Sequence, residues 1–226
     1  MTGLSSHVAV EAELLAQSLR PGTRVLDAGC GRRTRLAQHR DLIEELVGID
    51  IDGTAVAENN ALDSAYVGDL CLPLPFETAT FDIVYANFVI EHLAAPPAAF
   101  AEWRRVLRPG GALILLTSNR ASPAILLADL MPHQVRIMLK RSGAGVADED
   151  VIPAYYQANT PRRLNALLSA SGFRPVRVEC VATLHRYVAR VPRLAVLARE
   201  LECRLPAPLR STIVGLYRVD GGNARG

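Results

Sequence analysis

Apolar residues recur along this chain at two spacings, and the two spacings alternate. Val8, Val10, Leu14, Leu15 and Leu19 repeat at helical distance and Pro21-Gly22 ends the run, predicting a helix over 7–19. The short apolar run 24–28 predicts a strand, followed by a helix over 35–42. A second strand is expected over 45–49, ending at Asp50, then a helix over 53–62 and a third strand over 65–67. The apolar run 81–86 predicts a fourth strand. Over 96–107, Phe100, Trp103, Val106 and Leu107 share a helical face; Pro109-Gly110-Gly111 closes that helix, and 112–117 predicts a fifth strand.

The pattern breaks down between 120 and 161. There 131–140 reads as an amphipathic helix and 142–150 as Gly-rich, then acidic. The stretch 120–160 is therefore expected to be an insertion that covers a cleft. Regular patterning resumes with a helix over 160–171, where Thr160 suits the N-cap, Pro161 the first turn and Gly172 the stop. A sixth strand over 173–182, a helix over 192–203, a seventh strand over 212–219 and a frayed tail at 221–226 complete the prediction.

Strands alternating with helices predict an α/β fold: one domain over 1–226 with a Rossmann-like, seven-stranded, mostly parallel sheet and helices on both faces. Right-handed crossovers place the strand ends and their loops on one edge, where open sheets of this kind bind ligands. Asp27, Asp50, Asp69 and Asn87 all fall at or just past such ends.

Composition narrows the function classes. The net charge of +2 gives no argument for nucleic acid. Lys140 is the only lysine, which reads as codon bias toward GC-rich DNA. Cys30, Cys71, Cys180 and Cys203 form no C-x-x-C pair, so neither zinc nor a redox dithiol is expected, and no metal is assigned. No apolar run approaches the ~20 residues that span a bilayer, and no signal-peptide pattern opens the chain, so a cytoplasmic protein is expected. Oligomeric state is not legible.

The segment 25–34 reads VLDAGCGRRT: an apolar run, an acid, then Gly29 and Gly31. Lacking a Cβ, the two glycines let backbone approach a ligand, and a following helix would offer unpaired N–H groups to a carboxylate. GID at 48–50, GDLCLPLPF at 68–76, FDIVYANFVIEHL at 81–93 and LRPGG at 107–111 follow in order. Together these signatures resemble the class I S-adenosylmethionine-dependent methyltransferases, in particular the small-molecule branch related to the ubiquinone and menaquinone methyltransferases.

That resemblance implies S-adenosylmethionine as cofactor, a small-molecule methyl acceptor as partner, and O-methylation slightly favoured. It implies cofactor binding by Asp27, Gly29, Cys30, Gly31, Asp50, Ile51, Asp69, Leu70 and Asn87. Asp27 would organise the methionine amino end, Asp50 the ribose hydroxyls with Ile51 on the adenine face, Asp69 and the Leu70 backbone the adenine amino group, and Asn87 the methionine part. Asp52 rivals Asp50, and Asp69 reads equally as a turn cap. The chain departs from the family at Arg33, where a third glycine is usual; its side chain either crowds the cofactor or points to solvent.

His92 is the one candidate general base, with packing and capping as its favoured role; His133 and His185 are assigned none. Tyr155 and Tyr156 read as a substrate wall or as apolar cover. The region 188–216, where arginines alternate with Val, Leu and Ala, reads first as a helix packed on the sheet and second as a lipid-facing surface. Two other functions compete: a binding protein without turnover, favoured by Arg33, and a nucleotide-dependent oxidoreductase, disfavoured because Thr34 ends the glycine pattern where a dinucleotide fingerprint needs Gly or Ala.

Overall fold

The computed structural model describes residues 7–130, 153–185 and 192–220. The helix expected over 131–140, the Gly-rich stretch 142–150, His133 and the tail 221–226 lie outside the described residues. The strands are β1 (Thr23–Ala28), β2 (Ile43–Asp50), β3 (Ser64–Val67), β4 (Phe81–Asn87), β5 (Leu107–Ser118), β6 (Phe173–Val181) and β7 (Thr212–Val219). They form one sheet in the order β3-β2-β1-β4-β5-β7-β6. The first five pair in parallel; β7 is antiparallel to both β5 and β6. The expected fold class is observed, with order reversing between β1 and β4.

Strand parity sorts the core into two layers. Val25, Leu46, Ile83, Ile114 and Leu116 pack against Val10, Leu14 and Leu15 of α1 (His7–Ser18). Leu26, Val84, Leu113 and Leu115 pack on the opposite face. Their partners there are Phe100 and Trp103 of α3 (Pro96–Val106) and, from the later helix Pro161–Ala170, Leu164 and Leu168. Phe100 and Trp103 are fully buried. Each large apolar side chain so buried contributes about 1.5–3 kcal/mol, so the alternating pattern specifies strand register firmly.

Four local expectations are corrected. The segment expected as a helix over 35–42 is only a 3-10 turn, Arg35–His39. Leu36 is its one buried residue and β2 already begins at Ile43, so an α-helix there would have almost no apolar face to bury. The helix over 53–62 shortens to α2 (Gly53–Glu58). Glu91 and His92 sit in a 3-10 turn, Ile90–His92, rather than in an α-helix. Pro109-Gly110-Gly111 does not precede β5 but bulges within it: the β4 ladder jumps from Phe81↔Leu107 to Ile83↔Ala112, and Gly110 takes φ +77°.

A helix α4 (Pro123–Leu130) stands where no regular element was anticipated. Its signal, a Ser-Pro start at Ser122-Pro123, was present in the sequence. Helix α5 (Pro161–Ala170) matches expectation: Thr160 Oγ1 accepts from Arg163 N at 3.3 Å, and Gly172 closes it at φ +85°. Helix α6 (Pro192–Arg204) connects β6 to β7.

Candidate functional site

Three polar residues interrupt apolar strands on the same face of the sheet and at the same edge. Asp27 has the parity of Val25, Asp50 that of Leu46, and Asn87 that of Ile83 and Tyr85. All three lie at or one residue before the ends of parallel neighbouring strands, and Asp27 and Asn87 flank the point where strand order reverses. Open α/β sheets bind ligands in the crevice at that point.

The polar atoms there include acceptors for which the described residues supply no partner. Asp27 is 2% exposed, and its Oδ2 has no hydrogen-bond partner among the described residues. Burial pushes its carboxyl up to about 7; a hydrogen bond from the Thr34 side chain opposes the rise and the Asp50 charge adds to it. Asn87 Oδ1 is likewise buried without a partner. Buried orphan acceptors are rare because each forfeits about 1–3 kcal/mol of solvation, so two at one crevice point to a ligand with matching donors.

The turn after β1 is shaped by its glycines. Gly29 takes φ +80°, and a Cβ there would stand 2.6 Å from Val89 Cγ2; Gly31 takes φ +51° with open space around it. The Gly29 and Cys30 amides both donate to Ile49 O, at 2.8 and 3.3 Å, and Gly31 N donates to Asp50 Oδ2 at 2.9 Å. Gly29→Ala is expected to lower stability by about 1–3 kcal/mol and to displace the turn, read as a lower melting temperature than Gly31→Ala gives. The reason is that Gly31 has room for a Cβ and shares only the φ penalty.

Cys30 contributes backbone to this turn. Its side chain packs inward, where a Cβ on Gly48 would lie 2.8 Å from Cys30 Sγ, and burial pushes the thiol up to about 12. The expected helix N-terminus is not available as drawn from sequence: the 3-10 turn is five residues long, and Thr34 Oγ1 already accepts from Leu36 N. Arg33 is exposed and lines a surface cavity of about 380 Å³ between the turn and the end of α2.

Asp50 holds its neighbours as well as the edge. Its Oδ1 accepts from Asp52 N at 3.0 Å, leaving lone pairs on both oxygens. Asp52 is committed elsewhere, capping α2 by accepting from Thr54 N and Ala55 N. Ile51 is 60% exposed beside them. Gly68 N donates to Asp50 O, bringing the β3 end alongside. There Asp69 Oδ1 accepts from Cys71 N at 2.8 Å, the turn-capping arrangement, and the Leu70 side chain is buried in the core.

Two supports were not legible in the sequence. Asn59, 6% exposed, donates from Nδ2 to the carbonyls of Cys30 (3.2 Å) and Gly31 (3.0 Å), bracing the glycine turn from behind. Glu11 of α1 is buried, accepts from Arg35 Nε at 2.9 Å and from the Tyr85 hydroxyl, and so ties α1 to the segment after the turn. Asn59 follows an unremarkable short helix; Glu11 breaks the apolar face of α1, the one cue available beforehand.

Beyond Asn87, a polar knot joins β5 to the segment 153–160. The Glu91 carboxylate accepts from Thr117 Oγ1 (2.7 Å) and Ser118 Oγ (3.1 Å), and its carbonyl accepts from Tyr155 N and Tyr156 N. Asn159 Nδ2 donates to Thr117 Oγ1 and Ser118 O. His92 Nδ1–H donates to Pro153 O at 2.9 Å. Tyr155 is 49% exposed, whereas Tyr156 lies under the Arg120 guanidinium at 5.1 Å.

Comparison with known proteins gives several similar sequences and folds. Residues 26–115 match a family model described as a methyltransferase domain. A malonyl-[acyl-carrier protein] O-methyltransferase of Erwinia pyrifoliae is 36% identical over 121 residues, 49% of this chain and 44% of that protein. A demethylmenaquinone methyltransferase of Beutenbergia cavernae is 36% identical over 106 residues, 46% of this chain and 44% of its own. A ubiquinone biosynthesis O-methyltransferase of Xanthomonas oryzae is 32% identical over 130 residues, 53% of each. The matches thus span about half the length of these curated relatives.

Among solved structures, an S-adenosylmethionine-dependent methyltransferase from Mesorhizobium loti superposes with TM-score 0.60 at 20% identity, covering 92% of this chain and 96% of that one. The [4+2]-cyclase SpnF gives 0.60 at 20% identity, covering 95% and 83%. These two likenesses concern the fold. Together with the ordered motifs and the sheet order, the sequence matches make the chain similar, over residues 26–115, to the methyltransferase domain of these proteins.

Proposed function

We propose that this chain transfers a methyl group from S-adenosylmethionine to a small-molecule acceptor, with oxygen the favoured atom. The observation that carries the reading is the buried Asp27 carboxyl beside the Gly29–Gly31 turn, whose Oδ2 has no partner among the described residues. A cationic amino group is the chemical complement of that acceptor, and the residues around it fit the rest of the cofactor. Asp27 and Asn87 would hold the methionine end, Gly29, Cys30 and Gly31 would line it with backbone, and Asp50 would accept from the ribose hydroxyls. Ile51 offers an apolar surface to the adenine, with Asp69 and the Leu70 backbone at its rim.

Bound there, the sulfonium supplies an already electrophilic methyl. The chain's own task is to orient the acceptor and exclude water, and proximity of this kind can remove roughly 7–11 kcal/mol of barrier. The knot of Glu91, Thr117, Ser118 and Asn159 anchors the 153–160 segment at the edge beyond Asn87, and we assign acceptor selection to the region 120–160. O-methylation is favoured because two of the three curated relatives described above are named O-methyltransferases.

A second reading, cofactor binding without methyl transfer, is kept because SpnF, a [4+2]-cyclase, has the same fold. Incubation with S-adenosylmethionine and a panel of phenols, carboxylic acids and thioesters separates the two. Formation of S-adenosylhomocysteine with at least one oxygen acceptor is the expected result. Cofactor binding with no turnover across the panel would favour the second reading.

A further inference from the structure

Helix α6 is held to the body by very little. Of its thirteen residues only Glu202 is buried, and Glu202 anchors it by accepting from Leu184 N at 2.8 Å and Ser211 N at 2.6 Å. Its apolar residues face outward instead: Leu194 is 44% exposed, Val196 58%, Leu197 50% and Leu201 53%. Leu194, Leu197 and Leu201 follow i, i+3, i+7 spacing and form one stripe. An amphipathic helix that buries an acid and exposes its leucines has its apolar face turned toward something other than its own sheet.

Charge says what that something is. Across 192–210 the sequence carries four arginines (Arg193, Arg199, Arg204 and Arg210) against Glu200 and Glu202, a balance of +2, as much as the total of the whole chain. Glu202 is buried, leaving Glu200 as the exposed acid on α6. Arg193, Arg199 and Arg204 are exposed and form no ion pair with the described residues. Two copies of this face pressed together would oppose like charges. An anionic phospholipid surface satisfies both features at once, taking the leucines into its acyl boundary and the arginines at its headgroups.

The position of α6 adds to the argument. Thr212 pairs with both Ser118 and Val181, so β6 ends at the same edge as β5, and Glu202 ties the later part of α6 to Leu184 and Ser211 just beyond that edge. We infer that α6 is a docking surface for anionic phospholipid, resting the crevice edge of the sheet against a membrane. No helix among the described residues is long and apolar enough to cross one, so the contact is peripheral. The inference stands independently of methyl transfer.

Flotation with phosphatidylglycerol and with phosphatidylcholine vesicles tests it, using the full chain. The wild type is expected to float with the anionic vesicles and about tenfold less with the neutral ones, and raised salt should release it. Arg193→Ala and Arg204→Ala should each lower partitioning roughly fivefold. Leu197→Asp with Leu201→Asp should abolish it while leaving the melting curve and cofactor binding unchanged, because both side chains are already exposed. Protein that stays in the supernatant, binding indifferent to lipid charge, or binding retained by the double variant would overturn the inference. So would a dimer that the double variant dissolves, which would assign the face to a second copy.

Discussion

Asp50→Ala is expected to reduce affinity for S-adenosylmethionine about 100-fold, measured by isothermal titration. A carboxylate accepting from two ribose hydroxyls contributes about 1.5–3 kcal/mol per bond, and the lower end of that range for each already gives the stated loss. Asp50 also accepts from Gly31 N and Asp52 N, so its removal frees the glycine turn from the β2 end. Asp50→Asn separates the two effects. It keeps one acceptor oxygen and the shape, and should lose only about tenfold. Unchanged affinity in Asp50→Ala would place the ribose elsewhere, and Asp52 would not inherit the role while it caps α2.

Asp27→Asn should make the ligand-free protein more stable and its cofactor binding much weaker. The Asp27 carboxyl stands at about 7 in the folded chain against an ordinary 3.8, so folding favours its protonated form. Protein stability therefore falls as pH rises from about 4 to about 7 on account of this group, by about 4 kcal/mol at most, and levels off above. Asparagine removes that penalty. The melting temperature of the variant should exceed that of wild type by roughly 5–10 °C at pH 8, with the gap closing toward pH 4.

Binding runs the other way. A cationic amino group needs the ionised carboxylate, so wild-type affinity should drop about tenfold per pH unit below about 7. The variant should bind weakly at every pH. A stability gap that ignores pH, or wild-type affinity that does not weaken in acid, would remove Asp27 from the role proposed for it.

Much of this site was legible in the sequence because strand ends carry two coincident signals. Asp27, Asp50 and Asn87 each interrupt an apolar run at the position where alternation would otherwise bury a hydrophobe, and each lies where a turn begins. The helix Pro161–Ala170 was likewise marked at both ends, by the Thr160 cap, Pro161 and Gly172. The segment after the glycine turn misled because Leu36, Leu42 and charged residues between them imitate a helical face, whereas only Leu36 is buried in the observed turn. Pro109-Gly110-Gly111 misled differently: punctuation that ends elements in sequence can also bulge within a strand.

The contacts that hold the site were the least legible. Asn59 reaches the carbonyls of Cys30 and Gly31 across 28 or 29 positions, and Glu11 reaches Tyr85 across 74. No local pattern encodes a pairing set by the sheet order. His92 was ambiguous for the same reason, since its bond to Pro153 O depends on how the segment 153–160 returns to the sheet.

A crystal structure of the chain with S-adenosylhomocysteine tests the central claim most directly. The account predicts the nucleoside at the carboxyl ends of β1, β2 and β4, its amino group on Asp27, its ribose on Asp50 and its amino-acid end against Asn87. Density for the ligand anywhere else, or a folded crystal that takes up none at saturating concentration, would contradict it.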